Sequence, residues 1–199
     1  MDIIAANQTF QALFHFFPPY RRYAQTFTIA AAAQLNKVAI PLRFMNAPTA
    51  PETLFVEIRL QDGNGKPGAL VATSVNSIDV YALTAGVIWY DFQFANELLE
   101  PGIGYTVIIR SDSDTSPNHV YVSTLSTGAA AGQGMYYTPS TQIWSNYIHD
   151  LAYAAYGSPP PPSDINCTIQ AEARLQPILL ASSRPAGITA AMHPNEVTL

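Results

Sequence analysis

The sequence predicts an all-β protein, an antiparallel β-sandwich of jelly-roll-like form with an extended N-terminal segment and a C-terminal arm. Three observations predict it. Apolar residues recur with a period of two along most of the chain, Gly/Pro/Asn/Asp clusters separate the apolar runs, and no segment carries a helical period for three turns. Side chains on a strand point alternately to opposite faces, so a period of two gives each segment one apolar face.

The elements follow in order. Tyr23–Ile29 is a short strand candidate, and Ala30–Ala33 is too brief to be a helix. In Lys37–Met45, Val38, Ile40, Leu42 and Phe44 share a face, with Lys37 and Arg43 opposite. In Leu54–Gln61, Leu54, Val56, Ile58 and Leu60 alternate with Phe55, Glu57, Arg59 and Gln61. The run from Asp62 to Gly68 holds Asp-Gly and Asn-Gly pairs, which supply positive-φ positions for a hairpin loop leading into Ala69–Thr73. In Gly86–Ala95, Ile88, Tyr90, Phe92 and Phe94 alternate with Trp89, Asp91 and Gln93. Trp89, Phe92 and Phe94 are expected on a central strand, each burying ~150–250 Å². Pro101-Gly102 breaks the chain before Tyr105, Val107 and Ile109, and Tyr105 is placed to act as a corner tyrosine bonded back to the loop. Asp112–Asn118 is another breaker, and His119–Thr124, Met135–Thr138, Ile143–Ser145 and Asp150–Tyr156 complete the set.

The organisation reads as four parts. Residues 1–20 are an N-terminal docking segment, 21–157 the sandwich, 158–163 a Pro-rich spacer of extended character, and 164–199 a C-terminal arm. Beyond the spacer Ile165, Cys167 and Ile169 alternate with polar residues, followed by Pro177, Ile178, Leu179 and Leu180. The N-terminus reads as mature rather than as a signal peptide. Asp2 replaces a basic start, polar residues interrupt the apolar run, and aromatics stand where a cleavage site needs small residues.

Charge is scarce. Nine Lys+Arg and fourteen Asp+Glu make 12% of the chain, about half the ~25% usual in globular domains. Thirteen Ser, sixteen Thr, ten Asn and ten Gln take the place of charge. A net charge of -5 argues against a nucleic-acid partner, because phosphate neutralisation needs clustered cations. No run reaches the roughly 18 apolar residues of a helical membrane span, so no membrane partner is expected. One cysteine forms no bridge within the chain.

Residues 21–157 carry an ordered set of short motifs. These are Ala24-Gln25-Thr26-Phe27-Thr28, Leu35-Asn36-Lys37-Val38 with a strand ending in Arg43, and Leu54-Phe55-Val56-Glu57-Ile58. The 62–68 loop, Leu70-Val71-Ala72-Thr73-Ser74 and Trp89-Tyr90-Asp91-Phe92-Gln93-Phe94 follow. Leu99-Glu100-Pro101-Gly102-Ile103-Gly104-Tyr105, Trp144 and the run from Asp150 to Gly157 close the series. In order and spacing this resembles the jelly-roll "choice-of-anchor" type domains of bacterial surface proteins and bacteriophage virion proteins, over about two-thirds of the chain. The sequence departs from that pattern at Leu151, where Phe is common, and at Ala129–Met135, where Gly-rich sequence is common. The resemblance implies a non-enzymatic sandwich used in assembly or adhesion.

Chemistry-bearing constellations are thin. Asp62 and Asn64 are spaced like the start of a calcium loop, and Asp112 and Asp114 could add carboxylates, but the twelfth position is Thr73 rather than a bidentate Glu. His15, His119, His149, His193 and Cys167 lack the close spacing of zinc sites, so no metal and no cofactor is expected. His119, His149 and Asp150 have no G-x-S-x-G partner. Glu57 and Asp91 are read on solvent faces, at a separation the sequence does not give. Tyr136, Tyr137, Trp144, Asn146 and Tyr147 form an aromatic and polar cluster suited to glycan contact. Phe14, Phe16, Phe17 and Tyr20 at one end, and Ile178, Leu179 and Leu180 at the other, are candidate partner-docking residues.

The resulting expectation is a non-catalytic structural protein of a bacteriophage virion, in the tail or baseplate. It would be assembled in the host cytoplasm with other virion proteins and as a homo-oligomer. The alternatives are a capsid decoration protein and a glycan-binding module for host surface carbohydrate.

Overall fold

The computed structural model describes residues 1–7, 12–16, 22–44, 46–112, 120–125 and 132–161. Met1–Pro160 forms one compact unit. In chain order its strands begin with β1 (Asp2–Asn7), β2 (Ala12–Phe16), β3 (Arg22–Phe27), β4 (Ala33–Phe44) and β5 (Thr53–Gln61). They continue with β6 (Pro67–Thr73), β7 (Ile78–Asp79), β8 (Ile88–Leu99), β9 (Tyr105–Ser111) and β10 (Val120–Leu125). The last are β11 (Gly134–Thr138), β12 (Ile143–Asn146), β13 (Asp150–Leu151) and β14 (Tyr153–Ser158). The described residues contain no α-helix, only a 3-10 turn at Val80–Ala82.

The strands form an antiparallel sandwich. In the first sheet β4 pairs β8 along one edge, while its other edge pairs β14 and then β10; β1 flanks β14, and β2 flanks β10. The second sheet runs β12-β11-β3-β9-β5-β6, with β7 also on β5. Between the sheets lies a core of fully buried aliphatics: Leu35, Val38, Ile40 and Leu42 from β4 face Leu54, Val56, Ile58, Val107 and Ile109. All of these but Leu35 are residues the period-two reading selects.

Two local predictions are met in detail. The Tyr105 hydroxyl accepts the Glu100 N–H at 2.8 Å, which ties the Pro101-Gly102 turn to the strand that follows. In the β5–β6 loop, Asp62 Oδ1 accepts the N–H groups of Lys66 and Asn64, each at 2.8 Å. Gly65 there takes φ +71°, a conformation that lacks a steric penalty only for glycine. Those two bonds hold the Asp62 carboxyl below its ordinary pKa.

The structure differs from the sequence reading in three places. Residues 1–20 are read as a segment outside the sandwich, yet β1 and β2 are strands of the first sheet. Ile3-Ile4-Ala5-Ala6 carries no alternation to reveal this; what places it is the row of backbone groups along β14 that needs partners. Second, among the described residues β8 pairs only with β4, at an edge of the first sheet, so Phe92 is buried while Trp89 points out and is 39% exposed. Third, Glu57 lies on an outer face as expected but is only 6% exposed.

At one end a buried polar seam joins the sheets. Gln25 is fully buried, and its Oε1 accepts the Leu151 N–H at 3.0 Å. Asp150 Oδ1 accepts the Gly134 N–H at 3.2 Å, and the Ala152 N–H donates to the Ser123 carbonyl at 2.9 Å. Beside the seam, burial and then the Asp150 charge push the Tyr153 phenol well above its ordinary value of 10.0. A raised folded pKa means that the contribution of the neutral phenol is complete below the unfolded value and is lost as pH rises beyond it. Base-induced unfolding is therefore expected to set in above about pH 10, and Tyr153→Phe to move that onset upward in a circular-dichroism titration. Equal onsets in the two proteins would contradict this.

Candidate functional site

The aromatic cluster of the sequence falls on the β11–β12 hairpin, where Tyr136 lies opposite Ser145 and Tyr137 opposite Trp144. Consecutive strand residues face opposite ways, and the cluster is split accordingly. Tyr137 and Trp144 lie on the outer face of the second sheet with ring centroids 5.2 Å apart, and the Arg22 guanidinium sits 4.6 Å from the Tyr137 ring. Trp144 packs on Ala24, Ile108 and Met135, each 1% exposed, which form a small apolar cluster of their own. Tyr136 turns inward against the main core and meets Tyr147 edge-on at 5.9 Å; Tyr147 in turn meets Tyr23 and His149. Asn146 accepts from the Lys66 ammonium across the loop. The five residues thus share a hairpin but do not converge on one recess.

Further along the same outer face, the Glu57 carboxylate accepts the Arg59 Nε–H at 2.8 Å and the Arg110 Nε–H at 2.5 Å. Arg110 also lies over the Phe55 ring at 5.2 Å. A carboxylate this buried is tolerated only with partners of this kind, and two guanidiniums supply them. Glu57 and Asp91 belong to opposite sheets and face away from each other, so they form no carboxylate pair. Among the described residues no three His, Cys, Asp or Glu side chains come together.

Of the docking candidates, Phe14 and Phe16 lie on β2, opposite Val122 and Val120 of β10. Phe17, Tyr20, Ile178, Leu179 and Leu180 lie outside the described residues, as do the 164–199 arm, Asp114, His119, Cys167 and His193.

What sequence reasoning missed is the character of the sheet margins. Large apolar side chains are exposed there: Ile3 on β1, Leu70 on β6, Ile88 and Leu98 on β8, and Ile143 on β12. Soluble proteins blunt edge strands with lysine, proline, short length or a covering segment. The twelve-residue β8 has no lysine or arginine, and among the described residues the backbone and Asn76 bonds to its free edge fall at its middle. There the Val75 N–H donates to the Gln93 carbonyl at 2.8 Å, while Asn76 accepts the Gln93 N–H at 2.6 Å and donates to the Asp91 carbonyl at 2.9 Å. Both ends of β8 keep exposed apolar side chains. Only pairing shows which strands are edges, so this feature had no signal in the sequence. No family model matches the chain, and no curated protein matches it either.

Proposed function

We propose that this chain is a non-catalytic structural subunit of a bacteriophage particle, built into the tail or baseplate through its sandwich and its terminal segments. The observation that carries this reading is the set of exposed apolar side chains at the margins of both sheets, in a chain only 12% charged. Edge strands that keep exposed apolar side chains offer ready surfaces for another chain. A surface poor in ionised groups is covered by neighbours without the cost of desolvating them. The motif series of residues 21–157 supports the particle as the setting.

Association is the direct consequence. Purified chain is expected to form a homo-oligomer in light scattering or to retain another virion protein on a column. The pair Ile88→Asp and Leu98→Asp, both on the exposed margin of β8, is expected to weaken that association at least tenfold while preserving the thermal transition. A stable monomer that retains no virion protein contradicts the proposal.

A further inference from the structure

The outer face of the first sheet holds a feature that assembly does not require. Strand register sets Asp91 of β8 opposite Ala39 of β4, and Ala39 opposite Ala154 of β14. Trp89 lies opposite Pro41, one pleat to one side of this row, and Tyr156 opposite Lys37, one pleat to the other side. Trp89 and Tyr156 therefore stand at diagonal corners of a patch whose centre is alanine. Two strand spacings and four residues separate them, roughly 16 Å between backbones. A trough of about 340 Å³ lies here, lined by Ala39, Trp89, Asp91 and Tyr156; its alanine floor is itself buried, with Ala39 3% exposed. That volume is at the small end of ligand sites.

The walls are set by other contacts. Lys37 Nζ lies 4.5 Å from the Tyr156 centroid and donates to Asp91 Oδ2 at 3.0 Å, so one ammonium fixes both a ring and a carboxylate. The Asp91 side chain is 48% exposed, and among the described residues its Oδ1 has no partner. Gln93, in register with Lys37, lies on the same face of β8 as Asp91.

We infer that this trough is a carbohydrate subsite for a neutral pyranose. The C–H faces of a pyranose are apolar and pack on aromatic rings, which Trp89 and Tyr156 offer as rigid amphipathic area. Its hydroxyls need both acceptors and donors at the rim, and Asp91 and Lys37 supply them. The Lys37–Asp91 pair is neutral as a unit and the chain carries a net charge of -5, so an anionic sugar is disfavoured. This site is separate from the β11–β12 aromatics, which lie on the other sheet.

The chain has two tryptophans, so Trp144→Phe leaves Trp89 as the sole tryptophan reporter. That variant is titrated with cellohexaose, maltohexaose, mannohexaose, xylohexaose and chitohexaose, and with an oligogalacturonate as the anionic comparison. A saturable change in Trp89 emission is expected with at least one neutral oligosaccharide and not with the oligogalacturonate. In calorimetry on the full chain, Trp89→Ala and Tyr156→Ala should each weaken that binding at least tenfold, whereas Trp89→Phe retains most of it. The inference is overturned by no saturable response to any neutral sugar, by binding that survives both alanine variants, or by preference for the anionic sugar. Light scattering on the same variants separates this from the assembly reading: if Trp89→Ala dissociates an oligomer and alters no sugar binding, the trough is an assembly contact and the inference fails.

Discussion

Gly134→Ala is expected to destabilise the protein by about 3 kcal/mol, the upper part of the range for overpacked sites. The glycine sits at the start of β11, opposite Gln25, and its carbonyl accepts the Tyr147 N–H at 2.8 Å. A β-carbon added there would lie 2.0 Å from the His149 carbonyl oxygen and 3.2 Å from the Asp150 α-carbon. Both are backbone atoms, so no side-chain rotation relieves the clash. The 149–150 segment must move, and with it go the Asp150–Gly134 and Leu151–Gln25 hydrogen bonds that join the sheets. Each buried donor left without its acceptor adds roughly 1–3 kcal/mol. Gly63→Ala is the control, since nothing lies within 4 Å of its added carbon, and it is expected to stay within about 0.5 kcal/mol of the parent. Urea unfolding followed by circular dichroism measures both. Equal midpoints for the two variants would contradict the close approach described here.

Phe92→Ala and Trp89→Ala, three residues apart on one strand, are expected to differ sharply. Phe92 is fully buried in the core, and its truncation is expected to remove about 3–5 kcal/mol through lost burial and the cavity left behind. Trp89 is larger but points outward from an edge strand, so its truncation should cost under about 1 kcal/mol. The contrast tests the face assignment of β8. If Trp89→Ala proves as damaging as Phe92→Ala, then β8 is a central strand with Trp89 in the core, as its motif suggests.

These cases also show which features were legible in the sequence. Alternation located β4, β5, β8 and β9 and chose their inward residues, because a period of two survives wherever one face meets a core. Local chemistry was legible too, in the Tyr105 corner and the Asp62 loop, since both involve partners only a few residues away. Features created by pairing were not. Asp2–Asn7 has no alternating pattern and is a strand because β14 lies beside it. Glu57 is buried on an outer face because Arg110 arrives from the neighbouring strand, 53 positions later. The trough at Ala39 exists only in the register that aligns three strands. For the hairpin aromatics the signal was present: Tyr136 and Tyr137 are adjacent, and adjacent strand residues face opposite ways.

The proposed role of the chain is as a component of an assembled particle. Antibody raised against residues 22–112 and applied to intact particles from the host that encodes the chain tests it most directly, with gold labelling read by electron microscopy. Label is expected on the particle, concentrated at the tail or baseplate. Particles that carry no label, from lysates in which the same antibody detects the protein free, would contradict it.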